Sequence, residues 1–206
     1  MRGAIAAAFR TDFILKGVNM ERTFVLIKPD GVQRALIGKI ICKFEDAGLK
    51  LVAIKMIKAS KETAGSHYAD DKAWLESVGK KSIASYEAKG VKTNETALEI
   101  GNRVRNYLMD YITGGPAVAM VIEGNDAVSI VPKLVGSTAP ARADPSTIRG
   151  AYASDSYDMA DAKKRPVRNL IHASDSLDSA NREIAIWFKP AEIAEYRRAD
   201  EAVMFD

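Results

Sequence analysis

The sequence contains very little cysteine, no long hydrophobic run and no marked excess of charge of one sign. Its single cysteine, Cys42, excludes a disulfide framework and a cysteine-based zinc site within the chain, and it is compatible with a reducing, cytoplasmic setting. No run of about 18 apolar residues is present, so we expect no transmembrane helix and no membrane partner. The 30 basic residues exceed the 27 acidic ones by only +3, which does not by itself predict nucleic-acid binding.

The composition, with 47% hydrophobic and 28% charged residues among 206, is typical of a globular domain. We predict that residues 1–19 are an appendage outside the fold and that residues 20–206 form one domain. Cys42 lies in the apolar run 40–44 and is expected to be buried, because small sulfur side chains usually are.

Apolar runs and turn signals divide the domain into alternating elements. Strands are predicted at residues 23–28, 49–57, 117–122 and 168–172, helices at 36–47, 60–68, 126–135 and 177–187, helical character across 69–113 and a loop at 136–164. This order predicts a ferredoxin-like α+β sandwich, in which a four-stranded antiparallel sheet carries helices on its faces. The alternative is a small doubly wound α/β sheet. Asp126 is a candidate cap for the helix at 126–135. Pro132 lies inside this helix and is expected to kink or shorten it.

The chain has only two histidines, and they lie in different settings. His67 follows a short helical segment and is expected to serve in packing. His172 ends a predicted strand and precedes the cap candidates Ser174 and Asp175, where backbone N–H groups attract anions. A neutral imidazole there is a competent nucleophile towards phosphorus. Glu183, on the next helix, would fix the imidazole tautomer if it accepts one ring proton, although a nearby arginine or lysine is an equally acceptable partner for it.

Hydrogen-bond donors also occur where strands end or loops begin. Lys28, Arg149 and Asn169 lie at such places, and Thr138 adds a hydroxyl. Phosphoryl transfer requires donors of this kind around the equatorial oxygens of the phosphorus. A solvated lysine and a surface arginine are the alternative interpretations. No Walker A sequence and no kinase-type glycine-rich loop is present.

Four motifs in order resemble the nucleoside diphosphate kinase family. They are Lys28-Pro29-Asp30-Gly31-Val32, Thr147-Ile148-Arg149-Gly150, Asn169-Leu170-Ile171-His172-Ala173-Ser174-Asp175-Ser176 and Ile186-Trp187-Phe188-Lys189-Pro190. The resemblance covers about residues 20–196. It implies a ferredoxin-like fold and a ping-pong reaction in which ATP phosphorylates a histidine and a second nucleoside diphosphate collects the phosphate.

Matching positions carry the family's site onto this chain. The resemblance implies that His172 carries the phosphate, with Glu183 as its orienting partner and Ser174 as a group that supports the pair. It implies contacts to phosphate and sugar by Lys28, Thr138, Arg149 and Asn169, and a wall at Tyr68. Magnesium is expected on the nucleotide phosphates and not in a protein cage. Homo-oligomers are expected as well, most often hexamers and sometimes tetramers or dimers.

Three departures from the family pattern matter. Pro132 stands where the family usually has an arginine, and Lys133 or Arg142 is a candidate to compensate. Residues 69–113 are longer than usual in the region that holds the nucleobase, and Trp74 is the candidate to stack on the base. Residues 154–166 form an insertion whose Lys163, Lys164 and Arg165 either line the pocket mouth or are simply solvated.

The sequence therefore predicts an active nucleoside diphosphate kinase that reads phosphate and sugar and is broad across bases. Pro132 motivates an alternative, a nucleotide-binding or regulatory member with impaired turnover. A nucleic-acid partner, motivated only by a sequence pI near 8.9, is not expected.

Overall fold

A four-stranded antiparallel sheet is the centre of the fold. The computed structural model describes residues 20–68 and 70–205, and the appendage predicted at residues 1–19 lies outside them. Strands β1 (Met20–Ile27), β2 (Lys50–Ile57), β3 (Ala117–Asn125) and β4 (Ile171–Ala173) stand in the order β2-β3-β1-β4. Every neighbouring pair is antiparallel. The predicted ferredoxin-like sandwich is confirmed, and the doubly wound alternative is excluded because such a sheet is mostly parallel.

Helices connect the strands and cover the sheet. They are α1 (Pro29–Gln33), α2 (Ile37–Asp46), α3 (Lys61–His67), α4 (Lys72–Ala88), α5 (Ala97–Thr113), α6 (Ala127–Val135), α7 (Ile148–Tyr152), α8 (Tyr157–Ala162), α9 (Leu177–Trp187) and α10 (Glu201–Phe205). Gly48 stops α2 with a φ of 77°, a left-handed conformation that glycine adopts without strain. Within the described ranges, no helix combines the length and the apolar composition that a membrane crossing requires.

The central strand β1 packs on both of its faces. Val25 and Ile27 join α2 and α6 in one buried cluster, whereas Phe24 and Leu26 join α3, α5 and α9 in another. Successive side chains of a strand point to opposite faces, so a strand that is covered on both sides is apolar at every position. This explains why residues 24–27, the second half of β1, form an unbroken apolar run in the sequence.

Element boundaries differ from the prediction at several places. β3 continues to Asn125 and does not end at residue 122, while β4 is confined to Ile171–Ala173 because the chain turns sharply at Leu170, whose φ is +66°. The loop predicted at 136–164 contains α7, α8 and a 3₁₀ turn at Pro140–Arg142. These pieces are too short to produce a visible helical period.

Some predictions about single residues were wrong. Cys42 is exposed, because Ile40 and Phe44 occupy the buried side of α2 and a residue two positions from each lies on the opposite side. Ser176 caps α9, in place of the predicted Ser174 and Asp175.

At α6, the predicted side-chain cap was wrong, and so was the shortening predicted at Pro132, whereas the alternative of a kink stays a prediction. The Asp126 side chain does not cap this helix. Instead, the Glu21 carboxylate accepts the N–H of Val128 at 3.0 Å. Pro132 does not shorten the helix, which continues to Val135.

Helices α4 and α5 form a hairpin whose backbones touch at two glycines. A Cβ atom added at Gly79 would lie 1.8 Å from the Ala97 carbonyl oxygen, and one at Gly101 would lie 2.1 Å from the Leu75 carbonyl oxygen. The obstructing atoms are backbone, which cannot rotate away as a flexible side chain can. Only glycine therefore permits this approach.

We predict that Gly101→Ala destabilises the protein by about 1–3 kcal/mol or more, because the added methyl group must push two helix backbones apart. Gly38→Ala is the matched control, since nothing lies within 4 Å of a Cβ at that helical position. It should leave the free energy of unfolding unchanged or raise it by less than about 1 kcal/mol. Urea denaturation of both variants measures the difference, and equal stability of the two would contradict the close packing.

Candidate active site

One large cleft, with a volume of about 1370 Å³, lies between the end of β4, the loop after α6, the α4–α5 hairpin and α8. Its inner end holds His172 and most of the polar residues singled out in the sequence. Its outer end is lined by side chains of the hairpin and of the predicted 154–166 insertion. The residues at the inner end that the sequence predicted are Lys28, Tyr68, Thr138, Arg149, Asn169, His172, Ser174 and Glu183.

His172 is hydrogen-bonded to Glu183 at the inner end of this cleft. The His172 Nε2 lies 2.7 Å from Glu183 Oε2, and the Ser174 hydroxyl donates to the same oxygen at 2.7 Å. Arg182 Nη2 approaches the other carboxylate oxygen at 3.2 Å. Burial acts to raise the pKa of Glu183, but the hydrogen bonds from His172 and Ser174, together with the electrostatic influence of the two imidazoles, hold that pKa below its ordinary value. Because an ionised carboxylate only accepts, Nε2 carries the ring proton and Nδ1 keeps a free lone pair.

The backbone explains why these two side chains meet. His172 is opposite Leu26 of β1, and the next turn is fixed by the Ser174 N–H, which donates to the Phe24 carbonyl at 3.1 Å. Since α9 begins at Leu177, Glu183 lies about two turns into it, on its buried face. The predicted pairing of His172 with Glu183 is therefore present. Glu183 has a second partner, Arg182.

Lys28 is a buried cation that follows β1. Its Nζ donates to Asn169 Oδ1 at 2.8 Å and lies 5.1 Å from the centre of the Tyr111 ring. Burial, helped by the nearby Arg149 charge and opposed by Asp30, lowers the pKa of Lys28 to about 7. Lys28 is thus not the solvated strand-end lysine of the alternative interpretation.

Arg149 is also buried, and it ties three segments together. Its guanidinium donates to the backbone carbonyls of Gly136 at 2.8 Å, Asn169 at 3.2 Å and Ile171 at 2.7 Å. Burial lowers its pKa to about 10, so it stays charged. Three of its five N–H groups are used in this way, and two remain for a ligand. The alternative of a surface arginine in a mobile loop is excluded, because only 8% of Arg149 is exposed.

The residue before β4 is held in an unusual conformation. Leu170 is fully buried at a φ of +66°, which costs of the order of 1–3 kcal/mol for a side chain with a Cβ. The Lys28 N–H donates to the Leu170 carbonyl at 2.8 Å, and the Leu170 N–H donates to the Asp30 carboxylate at 3.2 Å. The first motif therefore fixes the turn that delivers His172.

His67 is the residue that sequence reasoning missed. It is buried, as a packing residue would be, but its ring centre lies 4.6 Å from that of His172 at an interplanar angle of 84°. Trp187 Nε1–H donates to His67 Nδ1 at 3.4 Å. Burial, and then the neighbouring positive groups, lower the pKa of His67 to about 3, so the ring is neutral near pH 7. No spacing rule connects residues 67, 172 and 187, so nothing in the sequence pattern indicated this contact.

The remaining candidates lie in the cleft wall. Tyr68 is half-buried beside His67, and burial, reinforced by Glu183, raises its pKa. Thr138 is exposed, and its carbonyl accepts the Asn169 side-chain amide at 2.9 Å. Trp74 lines the outer end and is 36% exposed.

Pro132 and the two basic residues proposed to compensate for it also face the cleft. Pro132, Lys133 and Arg142 all line it, and both cations are exposed to solvent. Lys133 and Arg142 line the same cleft as His172, and the described bonds include none from either residue to the groups around His172.

The two segments predicted as insertions meet over the outer end. Lys89, which ends α4, lies 2.5 Å from Asp158 and 3.3 Å from Asp161 of α8. Arg165 pairs with both oxygens of Asp155 at 2.6 and 3.0 Å. Of the basic run 163–165, Lys164 and Arg165 line the cleft, whereas Lys163 is exposed outside its lining.

Comparison with known proteins places this site in a family. A sequence model described as nucleoside diphosphate kinase matches residues 21–77 and 99–193. The chain is 46% identical to the nucleoside diphosphate kinase of Pyrobaculum aerophilum over 181 residues, which cover 85% of this chain and 99% of that relative. It is 41% identical to the enzyme of Desulforamulus reducens over 187 residues, 91% of this chain and 100% of that relative.

Solved structures agree with the sequence matches. The NDP kinase from Pyrobaculum aerophilum has a TM-score of 0.83 at 44% identity and covers 86% of this chain and 100% of its own. A Borrelia burgdorferi nucleoside-diphosphate kinase, solved as a transition-state mimic with vanadate and ADP, has a TM-score of 0.73 at 34% identity and covers 89% and 96%. Because the matched segments carry the four motifs and the fold is shared throughout, this chain belongs to the nucleoside diphosphate kinase family of phosphotransferases.

Proposed function

We propose that His172 carries the γ-phosphoryl group of ATP to nucleoside diphosphates. The observation that carries this proposal is the 2.7 Å bond between His172 Nε2 and the Glu183 carboxylate, which leaves the Nδ1 lone pair free beside buried cations. Nδ1 attacks the γ-phosphorus and forms the N–P bond, while the bond from phosphorus to the bridging oxygen breaks and ADP leaves with that electron pair. Glu183 balances the positive charge on the phosphorylated ring. A second diphosphate reverses the step through its terminal oxygen.

The neighbouring donors support binding of the triphosphate. Lys28 and the two free N–H groups of Arg149 supply positive charge, while Asn169 and Thr138 are placed for phosphate and sugar. Ser174 supports the carboxylate, and Tyr68 forms the wall beside the ring. In such a pocket a neutral lysine regains its proton when an anion binds, because the anion reverses the electrostatic cost of the charge.

Magnesium fits this site on the nucleotide phosphates and not in a protein cage. Among residues 20–68 and 70–205, the group of three side chains that could converge on a metal ion is His67, His172 and Glu183. Two imidazoles are poor ligands for magnesium, which prefers oxygen. The ion would supply charge neutralisation between phosphate oxygens, and the residues above would bind the rest of the triphosphate.

The outer end of the cleft supports a nucleobase seat without strong base selection. Val104 and Leu108 of α5, together with Pro166 and Val167, line it with apolar surface, and Trp74 lies nearby. Apolar walls offer few hydrogen bonds that would distinguish one base from another. Broad use of nucleoside diphosphates is therefore expected.

We also propose a homo-oligomer, and the family resemblance favours a hexamer. Within residues 20–68 and 70–205, β2 has β3 as its one strand partner, and its side chains Ile54 and Met56 are 48% and 62% exposed. The C-terminal segment covers the other half of this edge, since the Ala194 N–H donates to the Val52 carbonyl at 2.8 Å. An edge left open and apolar supports association between copies. A cytoplasmic location and the lack of a nucleic-acid partner stay predictions.

The central prediction concerns transfer of labelled phosphate. Incubation with γ-labelled ATP and magnesium should place acid-labile label on the protein, and a chase with another nucleoside diphosphate should remove it. His172→Ala should take up no label. A protein that binds ATP but takes up no label would favour the regulatory alternative.

The hydrogen bond between Glu183 and His172 predicts that the Glu183 carboxylate is required for rapid phosphorylation of His172. Glu183→Gln should slow labelling by about 100-fold or more, because the amide can donate to Nε2 and move the ring proton onto Nδ1. Rapid labelling of the Gln variant would contradict the assigned tautomer.

The proline at the usual arginine position gives a second prediction. Pro132→Arg should raise kcat/KM by about 10-fold or more if the added guanidinium reaches the transferring phosphate. Pro132→Ala is the control, because it restores the backbone N–H in α6 without adding charge. Equal kcat/KM values for the two variants would show that Lys133 or Arg142 already fills the role.

The lowered pKa of Lys28 predicts that nucleotide binding is accompanied by proton uptake. With a pKa of about 7, most Lys28 side chains are neutral at pH 8, so binding of MgADP should take up most of one proton at that pH and little at pH 6. Titration calorimetry in buffers of different ionisation enthalpy measures this uptake. Lys28→Arg keeps the charge at both pH values, and an unchanged uptake in that variant would assign the proton to another group.

A further inference from the structure

His67 presents a buried N–H that has no partner. Trp187 Nε1–H can only donate, so His67 Nδ1 accepts, and a neutral imidazole then carries its proton on Nε2. The doubly protonated form is excluded near neutral pH by the burial of the ring. Three buried side-chain atoms of the described residues lack a hydrogen bond, namely Thr23 Oγ1, Asp30 Oδ1 and His67 Nε2, and only His67 lines the cleft.

An unpaired donor in the interior destabilises the folded protein, so its position requires a reason. Ring nitrogens of His67 and His172 and a Glu183 oxygen lie within 4.8 Å of one another. His67 nevertheless makes no hydrogen bond to either residue. That arrangement is suited to an acceptor that arrives with the substrate on His172.

We propose that His67 Nε2–H donates a hydrogen bond to a non-bridging oxygen of the phosphoryl group carried by His172. This inference rests on the proposed phosphohistidine intermediate and deepens it. The bond forms when the N–P bond forms and is lost when the phosphoryl group leaves for the acceptor. Lys28 and Arg149 supply charge to the phosphates, whereas His67 adds direction without a further charge that would hold the phosphoryl group back.

The tautomer of His67 also indicates whether an anion or a metal ion binds at its Nε2. A metal ion bound by His67 Nε2 would require the ring proton on Nδ1. That proton would point at the Trp187 N–H, so two donors would face each other. Metal-binding histidines instead donate their second ring N–H to an acceptor. The contact with Trp187 therefore favours an oxygen acceptor at Nε2.

Three substitutions of His67 test the proposal, because their side chains reproduce different ring nitrogens. The amide nitrogen of Gln falls near Nε2, the amide of Asn falls near Nδ1, and Phe fills the space with neither. The transfer step is measured in a single turnover, from the pre-phosphorylated variant to GDP. Thermal midpoints of all variants are measured in parallel.

His67→Gln should transfer within a few-fold of the wild-type rate, whereas His67→Asn and His67→Phe should be slower by about 10-fold to 100-fold. A role in packing alone would make the rates follow the thermal midpoints, or would favour Asn, which keeps the contact with Trp187. Either of those orders would overturn the proposal.

Nitrogen-15 NMR of the resting protein supplies a measurement that does not depend on the phosphohistidine. His67 should show a protonated Nε2 and an unprotonated Nδ1 from pH 6 to 8, and the opposite tautomer would overturn the proposal. The two hypotheses also fail differently. Loss of label in the wild-type protein would contradict the carrier role of His172, while normal labelling with equal rates for Gln and Asn would contradict only the role of His67.

Discussion

The site depends on one buried guanidinium. Arg149 donates to carbonyls from the loop after α6, from the residue before the Leu170 turn and from β4 itself. Each of these segments contributes to the cleft, and none is joined to the others by regular secondary structure. Because Arg149 stays charged even when buried, it holds them with charge-assisted bonds, which are stronger than neutral ones. The position of the histidine motif therefore follows from an arginine twenty residues earlier in the chain.

The same burial gives the cleft its electrostatic character. Lys28 and Arg149 lie close enough for each charge to disfavour the other, and no carboxylate is paired directly with the Arg149 guanidinium among the described bonds. Such a pair is stabilised when a polyanion enters. The negative charge of Glu183 is directed at the Nε2 side of the His172 ring, away from the free Nδ1. Charge of each sign thus has a separate task.

Much of the fold could be predicted from sequence because it depends on local patterns. The apolar runs of β1 and β3, the Gly48 stop and the full length of α9 are properties of neighbouring residues. The contact of His172 with Glu183 was open to prediction only as one possibility, since Glu183 had other partners within reach. The exposure of Cys42, the short length of β4 and the presence of α7 and α8 were not predicted. Which side of a helix is buried, and where the chain turns, depend on contacts with residues that are distant in the sequence. The contact of His67 with His172 and Trp187 joins three elements that only the folded sheet brings together.

The bridge from Lys89 to Asp158 and Asp161 closes the outer end of the cleft with ion pairs whose side chains are largely in solvent. Exposed pairs of this kind contribute about 0.2–1 kcal/mol, which is comparable to thermal energy. Ion pairs this weak break and re-form readily. A reaction that admits one nucleotide, releases it and admits another through a single mouth requires such frequent opening. The ion pairs therefore hold the mouth of the cleft together only transiently. Dissolved salt, which screens their charges, shortens the time for which they are formed.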